Sequence, residues 1–352
     1  MQITDRRFLD TPTRSVHAAT IEFWEDHPVF AWFGGTREGA PDVAIFLHNL
    51  NDEGENIILG AQDPTPRWNP ILFAHKDKLW MFEKAGQFCD RWQTFIHNVT
   101  DWDSSTCERD IRNDSQTLPA GLNGPVKTKP IPTGEHSVVC GSSVETFCDW
   151  VSYMEGYIIS DGKWDYAYRS KPLAVERKVQ YRNPYNGRPS VSMGVIQPAI
   201  WKDVDNNAHA FFRSSGGLDC IYYSRRVQYS MGSGWISPIK TNLPNPNSGV
   251  DVVTVDGRAF LVSNPSELYR KPLVIQEIKL DDKHNPYEED PDYVMNIEVA
   301  NELVVRESID SEDQDKCVSE ELSYPYMIEN DGNLHLVYTY GRSKIEYVTI
   351  SI

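Results

Sequence analysis

The residues best suited to chemistry fall on one short stretch. An apolar run, Val29-Phe30-Ala31-Trp32-Phe33, has strand character and ends at Gly34-Gly35, where the backbone can turn tightly. Arg37, Glu38 and Asp42 follow, and a second apolar run over residues 43–47 leads away. An arginine and two carboxylates are thus mounted on a loop between two strands, where binding and catalytic groups tend to sit. A guanidinium pairs bidentately with a carboxylate, so recognition of an anion is within reach. The plainer reading is a charged hairpin tip in water. Lys127 and Lys129 form a second cationic pair; they alternate along one strand and point the same way. His17 lies in a third strand-like run and titrates near neutral pH, which suits proton abstraction.

The elements that must position these groups are strands. Helical periodicity is nearly absent from the 352 residues, while 22 Gly and 22 Pro supply many turns. Strand-like runs also group. They begin near residues 17, 68, 126, 194, 248 and 322, and each opens with a first strand, a turn and a second, stronger strand. The spacing of roughly 50–60 residues lies in the range of repeat arrays. Six groups of about four strands predict a six-bladed β-propeller. The last group lacks a fourth strand, and residues 1–9 can supply it, closing the ring between the termini. Two stretches, 175–188 and 279–316, exceed a minimal blade and are expected to be solvated loops.

Bulk composition bounds the partners. Aromatic residues make up 11% of the chain, ample material for a core. The net charge of −17 repels phosphate backbones and argues against nucleic acid, although a local cationic cluster can still bind a small anion. No apolar run is long enough to span a membrane as a helix, and the N-terminal residues lack the apolar segment of a secretory signal, so a cytoplasmic location is expected. The cysteines at 89, 107, 140, 148, 220 and 317 show no CxxC spacing; no metal or cofactor is expected, and Cys140 reads as a small core residue. Oligomeric state stays open.

Several motifs run in order through nearly the whole chain: His17-Ala18-Ala19-Thr20-Ile21, the stretch 32–45, Trp68-Asn69-Pro70, Gly86-Gln87 with Trp92, residues 124–131, Cys140-Gly141-Ser142-Ser143-Val144-Glu145, Ile196-Gln197-Pro198, residues 243–249, Ser323-Tyr324-Pro325 and Tyr338-Thr339-Tyr340-Gly341-Arg342. On these motifs the chain resembles the BNR-repeat, sialidase (neuraminidase)-like propeller family. Ser160-Asp161-Gly162-Lys163-Trp164, and more faintly Met231-Gly232-Ser233-Gly234-Trp235, look like worn copies of the Asp-box turn of that family, whose role is structural.

The resemblance implies one sialidase-like propeller domain over residues 1–352, with first strands lining a central channel. Contacts to substrate would then come from Arg37, Glu38, Trp68, Asn69, Lys127, Lys129, Gln197, Arg213, Asn247, Tyr324 and Arg342, a set that suits an acidic sugar. Trp68 equally suits blade packing, and Asn247 a turn. Sialidases clamp a carboxylate with three arginines and use a Tyr–Glu pair as nucleophile and an Asp as acid/base. Arg213 and Arg342 match two of the arginines, Asp42 the acid/base, and Glu145, Tyr324 and Tyr340 are candidates for the pair. One departure stands out. The family's first-strand motif Phe-Arg-Ile-Pro has its arginine where this chain has His17, and Arg37 is the neighbour that could fill that role. Three functions follow: a sialidase-like exo-glycosidase; a polysaccharide lyase or rhamnosidase-type enzyme using His17; or a propeller that only binds glycans.

Overall fold

The computed structural model describes residues 1–49, 57–60, 63–101, 111, 115–146, 149–175, 193–215, 217–229, 232–280 and 293–352. The fold is all-β: a six-bladed propeller whose only helical element with defined bounds among the described residues is a 3-10 turn, Cys89–Arg91. Blade 1 comprises Ser15–Trp24, His27–Gly35, Ala44–Asn49 and Ile57–Leu59. Blade 2 comprises Arg67–His75, Lys78–Ala85, Gln93–Asn98 and Ser115–Thr117. Blade 3 has Ile131–Gly134, Ser137–Glu145, Asp149–Ser160 and Lys163–Arg169. Blade 4 has Met193–Lys202, Ala208–Ser215, Cys220–Tyr229 and Ile239–Pro244, and a short parallel contact, Asp149 with Met193 and Trp150 with Gly194, joins it to blade 3. Blade 5 has Asp251–Val255, Arg258–Ser263, Leu273–Leu280 and Ile297–Arg306.

Blade 6 closes the ring as the sequence suggests. Its three C-terminal strands, Leu322–Asn330, Asn333–Tyr340 and Lys344–Ser351, accept the N-terminal strand Gln2–Phe8 antiparallel, from Gln2 opposite Ser351 to Phe8 opposite Glu346. Pairing the two ends in one sheet covers an edge that would otherwise stay open.

Burial falls from the channel outwards. The second strands of blades 4 and 6 are buried at nearly every position, because a neighbouring blade covers each face. The outer strand Lys163–Arg169 keeps only Trp164 fully buried, where it meets Phe73, Trp80, Phe82 and Tyr157 at ring-centroid distances of 4.8–6.0 Å. The turn before it holds Asp161 and Gly162 at positive φ, as a tight hairpin needs. The fainter copy begins at Met231, outside the described residues, as are Cys107, Cys148 and most of 175–188.

Two expectations change. Residues 279–316 are not simply a loop: Ile297–Arg306 is the fourth strand of blade 5, its alternation hidden because this edge strand faces water on most positions. The first strand of blade 3 is shorter than 126–131. Pro125 and Pro130 cannot donate to a ladder, and Val126 makes one bond, to the Gly141 carbonyl at 3.1 Å. Gly141 itself must be glycine, since a Cβ there would lie 2.2 Å from the Pro198 carbonyl oxygen of blade 4.

One irregularity recurs where the first strands meet the channel. In blades 1, 2, 4 and 6 the first strand carries one extra residue against its partner: His17 pairs Phe33 and Thr20 pairs Ala31, and the same shift follows Trp68, Ile196 and Ser323. These are β-bulges, which re-aim side chains. Each places a non-glycine residue at positive φ: Ala18, Asn69, Gln197 and Tyr324.

Candidate active site

The bulges gather a connected polar cluster. Tyr324 Oη accepts a hydrogen bond from Arg213 Nη1 at 2.8 Å and from Gln197 Nε2 at 3.1 Å. Arg213 Nη1 also donates to Gln197 Oε1 at 3.1 Å, and its Nε to Asn247 Oδ1 at 2.8 Å. Asn247 sits at positive φ, and its carbonyl accepts from Arg270 Nη2 at 2.8 Å. Arg270 reaches the Glu321 carboxylate at 3.3–3.4 Å, and Arg342 Nε donates to Glu321 Oε1 at 2.7 Å. Arg342 Nη1 donates to Glu38 on the blade 1 loop. Three guanidinium groups from blade 4, the blade 5 loop and the blade 6 turn are thus joined through Asn247 and Glu321.

His17 lies against this cluster. Its ring is 4.1 Å from that of Tyr324, and its Nδ1 meets Thr339 Oγ1 at 2.9 Å, while Nε2 is buried without a partner. Burial holds its pKa well below the usual histidine value, and Arg342, Arg270, Arg213 and Lys127 push it the same way. His17 is therefore neutral at neutral pH. Arg270 also lies below its ordinary value, through burial and then the repulsion of Arg213 and Arg342, which Glu321 only partly offsets. Arg342 goes the other way: burial would lower it, but Glu38 and Glu321 outweigh that and keep it charged. Burial raises Glu145, and Arg213, Gln197 and Ser143 pull it back only partly; its Oε1 lies 3.5 Å from Gln197 Nε2 and 3.4 Å from Ser143 Oγ.

The structure brings together His17, Glu38, Glu145, Gln197, Arg213, Asn247, Tyr324 and Arg342 from the sequence-predicted set. Lys127 borders them, its Nζ donating to the Pro325 carbonyl at 2.5 Å and lying 5.8 Å from the Tyr324 ring centroid. Burial lowers its pKa to about 8. Lys129 is spoken for: Asp251 takes it at 2.8–2.9 Å. Trp68 forms a wall beneath the blade 1 loop, with its indole N–H on the Gly86 carbonyl at 2.8 Å and its ring against Phe33 and Trp92. Asn69, at positive φ, is buried in the same first strand.

Three residues do not reach the cluster. Tyr340 follows Thr339, which faces His17; strand alternation turns it to the opposite face, where its Oη accepts from the Asp310 N–H at 2.7 Å and its ring packs on Phe8. Asp42 closes its own loop, accepting from the Thr36 N–H and Oγ1, each at 2.9 Å. Arg37 is exposed, and the third guanidinium is Arg270 instead. Arg270 and Glu321 escaped the sequence reading because both sit outside the apolar runs that define blades. The loop from Asn264 to Arg270, which follows the second strand of blade 5, was the available signal. Among the described residues no group of three His, Cys, Asp or Glu side chains could hold a metal ion.

Similar folds occur in several solved structures. A Dyadobacter fermentans protein of unknown function superposes with a TM-score of 0.65 at 13% identity, over 100% of this chain and 99% of that one. A Trypanosoma rangeli sialidase in complex with sialic acid gives 0.54 at 10% identity, over 100% of this chain and 58% of that chain. A Penicillium chrysogenum alpha-L-arabinanase complexed with arabinobiose gives 0.55 at 8% identity, over 100% and 99%. No curated protein matches the chain in sequence. The model of the BNR repeat-like domain matches residues 27–336, most of the chain, and the protein belongs to that family.

Proposed function

We propose that this protein is an exo-acting glycosidase for an acidic sugar terminus, a sialic or uronic acid. One observation carries the reading: Arg213, Arg270 and Arg342 are linked around Tyr324 and His17 at the bulged ends of the first strands. Such a group of guanidiniums recognises a carboxylate. Tyr324 is the nucleophile, its oxygen fixed by Arg213 and Gln197. Glu145 accepts the Tyr324 phenol proton as that oxygen bonds to the anomeric carbon and the bond to the leaving oxygen breaks, and the proton passes on to the leaving oxygen; burial, which raises the Glu145 carboxyl, suits it to hold a proton between the two. Asp42 has both oxygens engaged by Thr36 and plays no part in this scheme. His17 is neutral and props the Tyr324 ring without adding charge to a crowded cationic site.

The test is turnover of a panel of sialosides and glucuronides by the purified protein. Release of the acidic sugar by the native protein and its loss in Arg342→Ala is expected. Rates no higher than that control across the panel would refute the proposal.

A lyase using His17 as base has one observation in its favour, the unpartnered Nε2. Against it, the burial and the cations that keep the imidazole neutral also make it a weak base. Uronate polysaccharides that gain ultraviolet absorbance from an unsaturated product would reverse this ranking.

A further inference from the structure

Arg342 does not stand ready for a ligand. Its Nε–H is committed to Glu321 and its Nη1 to Glu38. A carboxylate ligand is held best by two parallel N–H bonds from one fork of the guanidinium. With Nη1 occupied, Arg342 lacks the paired Nη edge for a second carboxylate.

The two glutamates differ in how firmly they are held. Glu321 is 16% exposed and is tied to Arg342, Arg270 and Ser323 Oγ, the last at 2.6 Å. It belongs to the scaffold of the cluster. Glu38 is 37% exposed and reaches across from another blade. Its loop follows Gly34-Gly35 and contains Gly39 at φ +73°, a conformation that favours glycine. At that point the loop packs on the Trp68 ring, which a Cβ at Gly39 would meet at 3.3 Å, and the Gly39 carbonyl accepts from Gln87 Nε2 at 3.4 Å.

We infer that Glu38 is an internal counter-anion that the carboxylate of an acidic ligand displaces from Arg342 as the ligand enters. The inference rests on the acidic-sugar reading of the site. Its physical logic is charge balance. A group of buried cations without counter-ions is costly, and Glu38 supplies one while the site is empty. Exchange of one carboxylate for another leaves the charge of the cluster unchanged. A neutral sugar cannot make that exchange, so Glu38 also acts as a filter for anionic ligands.

The experiment measures equilibrium binding of N-acetylneuraminic acid and of glucuronic acid to the native protein, Glu38→Gln and Glu321→Gln. A second readout is the rate at which phenylglyoxal labels Arg342, followed by mass spectrometry without ligand. Glu38→Gln is expected to bind an acidic sugar about tenfold tighter, since the competitor is gone, and to expose Arg342 to faster labelling. Glu321→Gln is expected to bind more weakly, since it loosens two arginines. Equal or weaker binding by Glu38→Gln, or unchanged labelling, overturns the displacement while leaving the site reading intact. No binding of either sugar to the native protein or to Glu38→Gln overturns the site reading, and the displacement falls with it.

Discussion

Arg270 offers a test that separates a binding group from a structural one. The substitution Arg270→Met keeps a long unbranched side chain and removes the charge. In the fold, Arg270 makes one good bond, to the Asn247 carbonyl at 2.8 Å, and two long ones to Glu321 at 3.3–3.4 Å. Losing bonds to a charged group costs about 1.5–3 kcal/mol. Set against that is the cost of holding the charge: burial, Arg213 and Arg342 all disfavour the guanidinium, which is why its pKa is lowered. That relief offsets part of the loss, and Glu321 is not left unpaired, because Arg342 and Ser323 still hold it. Stability should therefore fall by less than about 3 kcal/mol. Binding has no such offset. A carboxylate that loses one charged partner in a desolvated site loses about 2–5 kcal/mol, or about thirtyfold to a few thousandfold in affinity. Urea denaturation gives the first quantity, and titration with an acidic sugar gives the second. A loss of stability above about 3 kcal/mol with unchanged affinity would show that Arg270 serves the scaffold, and would refute the arginine clamp.

Other outcomes follow from the same physics. Tyr324→Phe removes the acceptor of both Arg213 and Gln197; turnover should fall by about a thousandfold or more while acidic-sugar binding survives, and an active variant would remove Tyr324 from the chemistry. Burial lowers the fully buried Lys84 to about 7 from its ordinary 10.5. The unfolded chain then binds the proton more tightly between pH 7 and 10.5, so this residue destabilises the fold most below pH 7 and its penalty fades as pH rises to 10.5. Lys84→Met should gain stability at pH 6 by up to about 5 kcal/mol, less the lost bond to the Pro125 carbonyl, and little at pH 10; a pH-independent difference in denaturation midpoint would contradict the assignment. Trp164→Ala empties the space between Phe73, Trp80, Phe82 and Tyr157 and should cost about 3–5 kcal/mol, a loss that calorimetry would detect.

The blades were legible because the strand pattern and the turns recur, and because residues 1–9 could supply the strand that the last group lacked. The short first strand of blade 3 was not, since Pro125 and Pro130 look like strand boundaries only once the missing ladder bonds are counted. The site was half legible. Residues on first strands and at the ends of second strands, such as Gln197, Arg213 and Tyr324, follow from the family resemblance together with strand position. Facing is harder. Thr339 and Tyr340 are adjacent, and a one-residue difference decides which of them meets His17. Loop residues are harder still: nothing in Arg37, Glu38 and Asp42 told which would turn inward. Asp42 is drawn back by Thr36 and Arg37 stays in water, while Glu38 finds Arg342.

The departure at His17 acquires a physical sense from the bulges. His17, Trp68, Ile196 and Ser323 hold equivalent places, each opposite the end of its second strand and just before a residue at positive φ. In three of the four, proline follows that residue, and Pro70, Pro198 and Pro325 leave no N–H unpaired at the bulge. Left-handed backbone costs a non-glycine residue about 1 kcal/mol or more, and Tyr324 is the bulkiest of those so placed. The surroundings over-determine it: the His17 ring on one side, Arg213 and Gln197 on its oxygen, Lys127 beyond its face. An arginine at 17 would put a further cation among Arg213, Arg270, Arg342 and Lys127. A neutral imidazole packs against the tyrosine and adds none. The fold therefore gives up stability at the bulge and in the crowded cations for one result, a phenol oxygen fixed beside a guanidinium at the end of the blade 4 and blade 6 strands.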